Sequence, residues 1–269
     1  MRKLTNKKSE ECLVKRIVFI FLFLVLTMTF SLENVLGEEI YRWNFKPAKN
    51  NQPSDTEEIY KEMLNKYGGF FIGDPNSKSL YLTFDNGYEN GYTADILDVL
   101  KEKNVPAAFF VTGHYLKSAP ELVKRMKEEG HVVGNHSWHH PSLPEISNKR
   151  LEEELGKVKE EYERITGEKD MIYLRPPQGT FNERSLAQTQ QLGYINVFWS
   201  FAYVDWETNG QKGPGHAYNS IMRRIHPGAV MLLHSVSEDN AEALEKVIDE
   251  CQSEGYTFKS LDELVLNIP

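Results

Sequence analysis

From Ser79 to the end of the chain, short β-rich runs alternate with longer amphipathic stretches, and this alternation limits the fold more than any other feature. Strands are expected at residues 80–84, 107–111, 131–134, 172–174, 195–199 and 229–233. Residues 93–103, 119–129, 151–166, 183–192, 217–225 and 241–254 read as helices, several closed by Gly130, Gly167, Gly193 or Gly255. Such alternation makes parallel strands joined by crossover helices, hence an α/β barrel or an open sheet. Polar residues sit just beyond the strand C-termini: Asp85 after the first, His136 after the third, Arg175 after the fourth and His234 after the last. In parallel α/β folds that edge is where sites are built.

The start of the chain follows a different logic. Arg2, Lys3, Lys7, Lys8, Lys15 and Arg16 precede an apolar run that begins at Ile17, and Val35 and Gly37 place small side chains before a cut at Glu38. That is the pattern of a secretory signal. An uncleaved anchor is the alternative, although the run is shorter than the about 20 apolar residues that a span needs. The rest of the chain is expected outside the cytoplasm.

Residues 38–76 hold Pro47, Pro53 and Pro75 among Asn, Ser and Lys, with helical spacing only over 57–67, and read as a spacer with one short helix. The expected organisation is therefore 1–37 signal peptide or N-terminal anchor, 38–76 spacer and 77–269 catalytic domain. Losing 1–37 removes six basic and three acidic side chains, leaving the rest more acidic than the whole chain's net charge of -8. Such a surface is a poor nucleic-acid binder. Cys12 leaves with the leader, so only Cys251 remains and no internal disulfide can form.

Three motifs carry chemistry. In Thr83-Phe84-Asp85-Asn86-Gly87 an apolar strand delivers a carboxylate and then a glycine; read alone, it is also an ordinary turn. In His136-Ser137-Trp138-His139-His140, two histidines stand four apart, a spacing that on a helical turn puts both imidazoles on one face as a chelate requires. His139, three from His136, leaves a second pairing open. In Arg175-Pro176-Pro177-Gln178-Gly179, two prolines stiffen the chain leaving a strand, and Arg175 can act as a fixed positive partner for a carboxylate; read alone, it is also a rigid loop whose Arg makes a surface ion pair. The Gln178 or Gly179 amide could face an oxyanion. Asp205-Trp206 and Leu232-Leu233-His234 complete the set.

In order and spacing these five pieces resemble the carbohydrate esterase family 4 polysaccharide deacetylases, the NodB-homology type, over roughly residues 79–265. The resemblance implies a distorted (β/α) barrel, a divalent metal with zinc the first expectation, and hydrolysis of an acetyl group on a polymeric sugar. It implies Asp85 as general base, His136 and His140 as metal ligands, and His234 as general acid. Asp205 is implied to orient a histidine and Arg175 to hold Asp85. The Gln178 backbone amide is implied as oxyanion donor, with Trp206 and Leu232 as walls of the acetyl pocket.

One position departs from that pattern. Asn86 stands where most members have an aspartate as third metal ligand, and a neutral amide oxygen is the weaker donor. Asn86, the continuation through Gly87-Tyr88-Glu89-Asn90-Gly91, and the stretch from His234 to Ala241 look like a narrower group. These are spore-cortex deacetylases acting on N-acetylmuramic acid before muramic δ-lactam closes. The implied partner is the peptidoglycan glycan strand, with no nucleic acid and no protein partner.

Overall fold

The computed structural model describes residues 39–49 and 52–266. The leader read at 1–37 lies outside them. Nine strands are present among the described residues: β1 (Tyr41–Arg42), β2 (Ser79–Asn86), β3 (Ala107–Val111), β4 (Val132–Asn135), β5 (Tyr173–Leu174), β6 (Thr180–Phe181), β7 (Ile195–Asn196), β8 (Val230–His234) and β9 (Thr257–Phe258). Seven of them form one sheet in the order β7-β5-β4-β3-β2-β8, with β9 beside β2, and every pair in it is parallel. The expected alternation is therefore observed, as a curled, distorted (β/α) barrel.

β2 is buried along all eight of its residues because it lies between β3 and β8 with helices packed outside. Leu80, Leu82 and Phe84 face the main core with the helices Thr93–Lys103 and Glu238–Ser253, whose Leu97, Leu100, Leu244, Val247 and Ile248 pack there. This face removes the largest apolar area from water and so contributes most to stability.

The segment read as a spacer carries its one helix, Glu58–Lys66, close to the expected bounds. It also does structural work that its composition does not announce. Phe70 bridges Val197 and Ile72 bridges Ala229, so residues 70–72 join the β7 side of the sheet to the β8 side and close the barrel wall. Upstream, β1 pairs antiparallel with β6. Trp43 donates its indole N–H to the Trp199 carbonyl at 2.9 Å and packs its ring 4.6 Å from Phe198 and 5.2 Å from Phe71. From Ile40 onward the chain forms one compact unit.

Two glycines show how close packing sets the sheet edge. A Cβ on Gly134 would lie 2.5 Å from the Phe110 ring, so this glycine lets β3 place that ring beside the β4 backbone. A Cβ on Gly113 would fall 2.2 Å from Trp138, which therefore lies flat on the turn opening the helix Gly113–Ser118. A cavity of about 790 Å³ opens at the opposite end of the barrel, lined by Phe70, Phe71, Tyr81 and Lys259 among others, and none of the motif residues reaches it. Among the described residues no helix is long and apolar enough to cross a membrane.

Because Trp43 is 8% exposed and fixes both Phe198 and the backbone before Asp205, Trp43→Ala is expected to cost about 3–5 kcal/mol. Urea denaturation checks this. An unchanged midpoint would mean that residues 41–46 only lean on the catalytic unit.

Candidate active site

The motif residues meet at the C-terminal edge of the sheet. Asp85 is the seventh residue of β2 and His234 the last of β8, and they are direct partners in the parallel register. His136 follows β4 and Arg175 follows β5, whose ends are joined by the Asn135–Leu174 pairing. Each side chain thus leaves a buried strand, which fixes its direction before any side-chain interaction is made.

Arg175 is fully buried and donates Nη1 to Asp85 Oδ1 at 2.8 Å and Nε to the Val197 carbonyl at 3.2 Å. Its guanidinium lies 4.2 Å from the centroid of Phe110 and 5.7 Å from that of Trp199. Burial by itself raises the Asp85 carboxyl, but the charge of the adjacent Arg175, the largest opposing cause, more than reverses this and holds the carboxyl below the usual carboxylate range. Arg175 remains charged despite burial, because a guanidinium does not deprotonate in proteins.

His136 and His140 are brought together as expected, their Nε2 atoms 3.1 Å apart and their rings 4.7 Å between centroids. The route differs from the helical turn that the spacing implies. Residues 136–140 form a loop, with Ser137 at φ 63° and His140 at φ 60°, both in the left-handed region. Local hydrogen bonds hold this costly shape: Ser137 N–H donates to Asn135 Oδ1 at 2.9 Å and His140 N–H to Ser137 Oγ at 2.9 Å. His139 points elsewhere, to Glu154, a carboxylate 1% exposed on the helix Asn148–Thr166, which accepts both its backbone N–H and its Nδ1–H at 2.7 Å. Glu154 carries no motif signal, yet it anchors the loop that presents the other two histidines.

The tautomer of His136 follows from its surroundings. Its Nδ1 lies 2.8 Å from the Arg175 carbonyl and must donate, which leaves a lone pair on Nε2, 3.5 Å from Asp85 Oδ2. Burial lowers His136 to about 4 and also lowers His140, so both are neutral at pH 7. Neutral imidazoles with converging nitrogens are the donor chemistry that a divalent cation takes. Asn86 is fully buried; its Nδ2 donates to Ser235 Oγ at 2.7 Å and its Oδ1 has no partner. The two converging imidazole nitrogens therefore suit a cation, and the unpartnered amide oxygen of Asn86, next to Asp85 on β2, is a further oxygen donor at the same sheet edge. Among the described residues there is no group of three or more His, Cys, Asp or Glu with metal-holding geometry.

On the other side, His234 is held by Asp205, which accepts its Nδ1–H at 2.7 Å and its backbone N–H at 2.8 Å. Burial pulls His234 down, but the Asp205 charge and hydrogen bond outweigh it and the imidazole is raised. Asp205 reaches β8 because Phe201 pairs with Met231 and accepts the Leu232 N–H, laying the chain beside that strand. Trp206 stands edge-on to His234 at 5.4 Å and is 49% exposed, so it forms an open rim where an enclosing wall was expected. Leu232 is 6% exposed inside β8. Gln178 is exposed, at φ 60°, and its side-chain Nε2 donates to the His140 carbonyl at 3.4 Å, joining the proline loop to the histidine loop.

Comparison with known proteins gives a consistent picture. The profile of the polysaccharide deacetylase family matches residues 72–197. The chain is 51% identical over 233 residues to the peptidoglycan-N-acetylmuramic acid deacetylase PdaA of Bacillus subtilis, covering 87% of this chain and 88% of that one. It is 56% identical over 224 residues to an uncharacterized 30.6 kDa protein of Geobacillus stearothermophilus, covering 83% and 84%. The solved structure of Bacillus subtilis PdaA, a family 4 carbohydrate esterase, superposes with a TM-score of 0.83 at 50% identity, covering 85% of this chain and 97% of that one.

The Arg175–Asp85 pair yields a stability prediction. Arg175→Met keeps most of the volume against Phe110 but leaves a buried carboxylate unpaired, and is expected to cost about 3–5 kcal/mol. Chemical denaturation at neutral pH measures it, and a loss below about 1 kcal/mol would show that Asp85 does not need its partner.

Proposed function

This chain belongs to the polysaccharide deacetylase family, carbohydrate esterase family 4, and we propose that it removes the N-acetyl group from N-acetylmuramic acid in peptidoglycan. The observation that carries this reading is the opposed pair on neighbouring strands: Asp85, held toward its ionised form by Arg175, and His234, inclined toward its protonated form by Asp205. Two groups pushed apart in this way supply a base and an acid at one pH. The likeness to PdaA supports the sugar.

Amide hydrolysis needs a deprotonated water to attack the acetyl carbonyl and a protonated nitrogen to leave. Asp85 accepts the proton as the water oxygen bonds to the carbonyl carbon. When the carbon–nitrogen bond breaks, His234 gives its Nε2 proton to the departing amine, so that acetate and a free amino sugar result. Nε2 is available for this because Nδ1 is committed to Asp205 and the side chain is 22% exposed. His136, His140 and the free oxygen of Asn86 would hold a divalent cation, which acidifies water and polarises a carbonyl when bound. The Gln178 backbone N–H is assigned to the oxyanion, and Trp206 and Leu232 to the acetyl group's surroundings.

The same reading places the action outside the cytoplasm, on cell-wall glycan, with residues 1–37 as leader or anchor and the catalytic unit beyond them. Spore cortex, and preparation of muramic δ-lactam, are the setting that the motif details favour. A non-catalytic wall-binding protein is the competing reading that Asn86 raises.

Acetate release from purified glycan strands separates the two. Asp85→Asn, whose amide oxygen can still accept from Arg175 but no longer offsets its charge, is expected to be less stable yet folded by circular dichroism, and to lose more than nine-tenths of kcat, a barrier increase above about 1.4 kcal/mol. A variant that kept wild-type turnover would remove Asp85 from the base role, and a wild-type chain that released no acetate would favour the binding protein.

A further inference from the structure

Asp205 does not orient His234 unaided. Asn240, 2% exposed in the first turn of the helix Glu238–Ser253, donates Nδ2 to Asp205 Oδ2 at 2.6 Å and lies 3.4 Å from the His234 carbonyl. Its other amide atom, Oδ1, accepts the Tyr203 hydroxyl. The orientation of the amide is forced by chemistry. An ionised carboxylate only accepts, so the nitrogen must face Asp205, the oxygen must face Tyr203, and Tyr203 must donate. Burial, with Asp205 and Asp239 nearby, pushes the Tyr203 phenol up and keeps its proton in place.

Asp205 itself is 3% exposed and receives three donors: His234 Nδ1 on one oxygen, and the His234 backbone and Asn240 on the other. Two donors come from β8 and one from the helix, so the carboxylate plane is fixed from two elements. The helix start also holds the loop that carries Asp205. Ser237, its N-cap, donates to Gln211 Oε1 at 2.7 Å, and Gln211 Nε2 reaches the carbonyls of Asp205 at 3.3 Å and Glu207 at 3.0 Å.

We propose that Asn240 is a positioning residue for His234: its amide fixes the plane of the Asp205 carboxylate, and Tyr203 fixes the amide. The inference rests on the reading of His234 as proton donor to the leaving amine. A carboxylate held by three donors keeps the imidazole in one orientation, with Nε2 presented to the groove on every encounter. With Asn240 truncated, Asp205 Oδ2 keeps only the backbone donor and can rotate, and His234 follows. An aspartate at 240 would set two carboxylates against each other across the same 2.6 Å contact.

The test uses the full chain with Asn240→Ala, Asn240→Asp and Tyr203→Phe. Asn240→Ala is expected to lower kcat about tenfold at unchanged KM, because substrate binds normally and the acid is misaligned. Asn240→Asp should lose at least as much, and Tyr203→Phe should lose less in the same direction. Proton NMR of substrate-free protein gives an independent readout: the His234 Nδ1–H resonance, identified by its absence from His234→Gln, should be far downfield in the wild type and move upfield in Asn240→Ala. A wild-type kcat together with an unmoved resonance in Asn240→Ala would overturn the proposal, as would a change confined to KM. If Asn240→Ala does not fold, Tyr203→Phe, which removes a single oxygen, decides by the same two readouts. The resonance needs no substrate, so a wild type inactive on glycan would count against the function above and leave this inference to the NMR result.

Discussion

The buried pair of Arg175 and Asp85 is the interaction on which the rest of the site depends. A guanidinium and a carboxylate removed from water cost several kcal/mol each, and their attraction offsets this only when geometry and hydrogen bonding are good. Here the geometry is assembled from the sheet outward. Gly134 has no Cβ, so the Phe110 ring can lie against β4; that ring supports the guanidinium face, and the Val197 carbonyl takes its Nε–H. The Arg175 carbonyl in turn fixes His136. One residue thereby orients Asp85 with its side chain and His136 with its backbone.

The two halves of the site are built by different means. The histidine loop is held in left-handed conformations by Asn135, Ser137 and Glu154, all fully or almost fully buried, and burial keeps the imidazoles of His136 and His140 neutral. The His234 half uses regular strand register with β2 and a carboxylate supplied by an irregular loop, and keeps its imidazole inclined to charge. Opposite protonation preferences within one groove come from these surroundings, because all three groups begin as ordinary histidines.

Much of this was legible in the chain. Long, strongly patterned elements such as β2 and the helix Asn148–Thr166 announced themselves, and the polar residues at strand ends were those that meet in space. The pairing of His136 with His140 was also readable, although the spacing of four implied a helix while the backbone turns back through Ser137. Closure of the barrel by residues 70–72 was not readable, because single bridges have no periodicity. Trp43 sits in a stretch of Asn, Lys and Pro whose composition reads as linker, and only the aromatic partners Phe71, Phe198 and Trp199 reveal its role. Glu154 and Asn240 were hidden for a further reason: each lies on the inner face of an amphipathic helix, where a polar residue looks like part of the solvated pattern until its buried partner is known.

The site at the C-terminal sheet edge is proposed to hydrolyse the acetamide of muramic acid within a glycan strand. Mass spectrometry of purified glycan, before and after incubation with the protein and a divalent metal, with fragmentation to locate the change, tests it most directly. The expected result is loss of an acetyl group on muramic acid residues, with the neighbouring glucosamine left acetylated. Loss confined to glucosamine, or glycan returned unchanged by a correctly folded and metal-supplied protein, would contradict it.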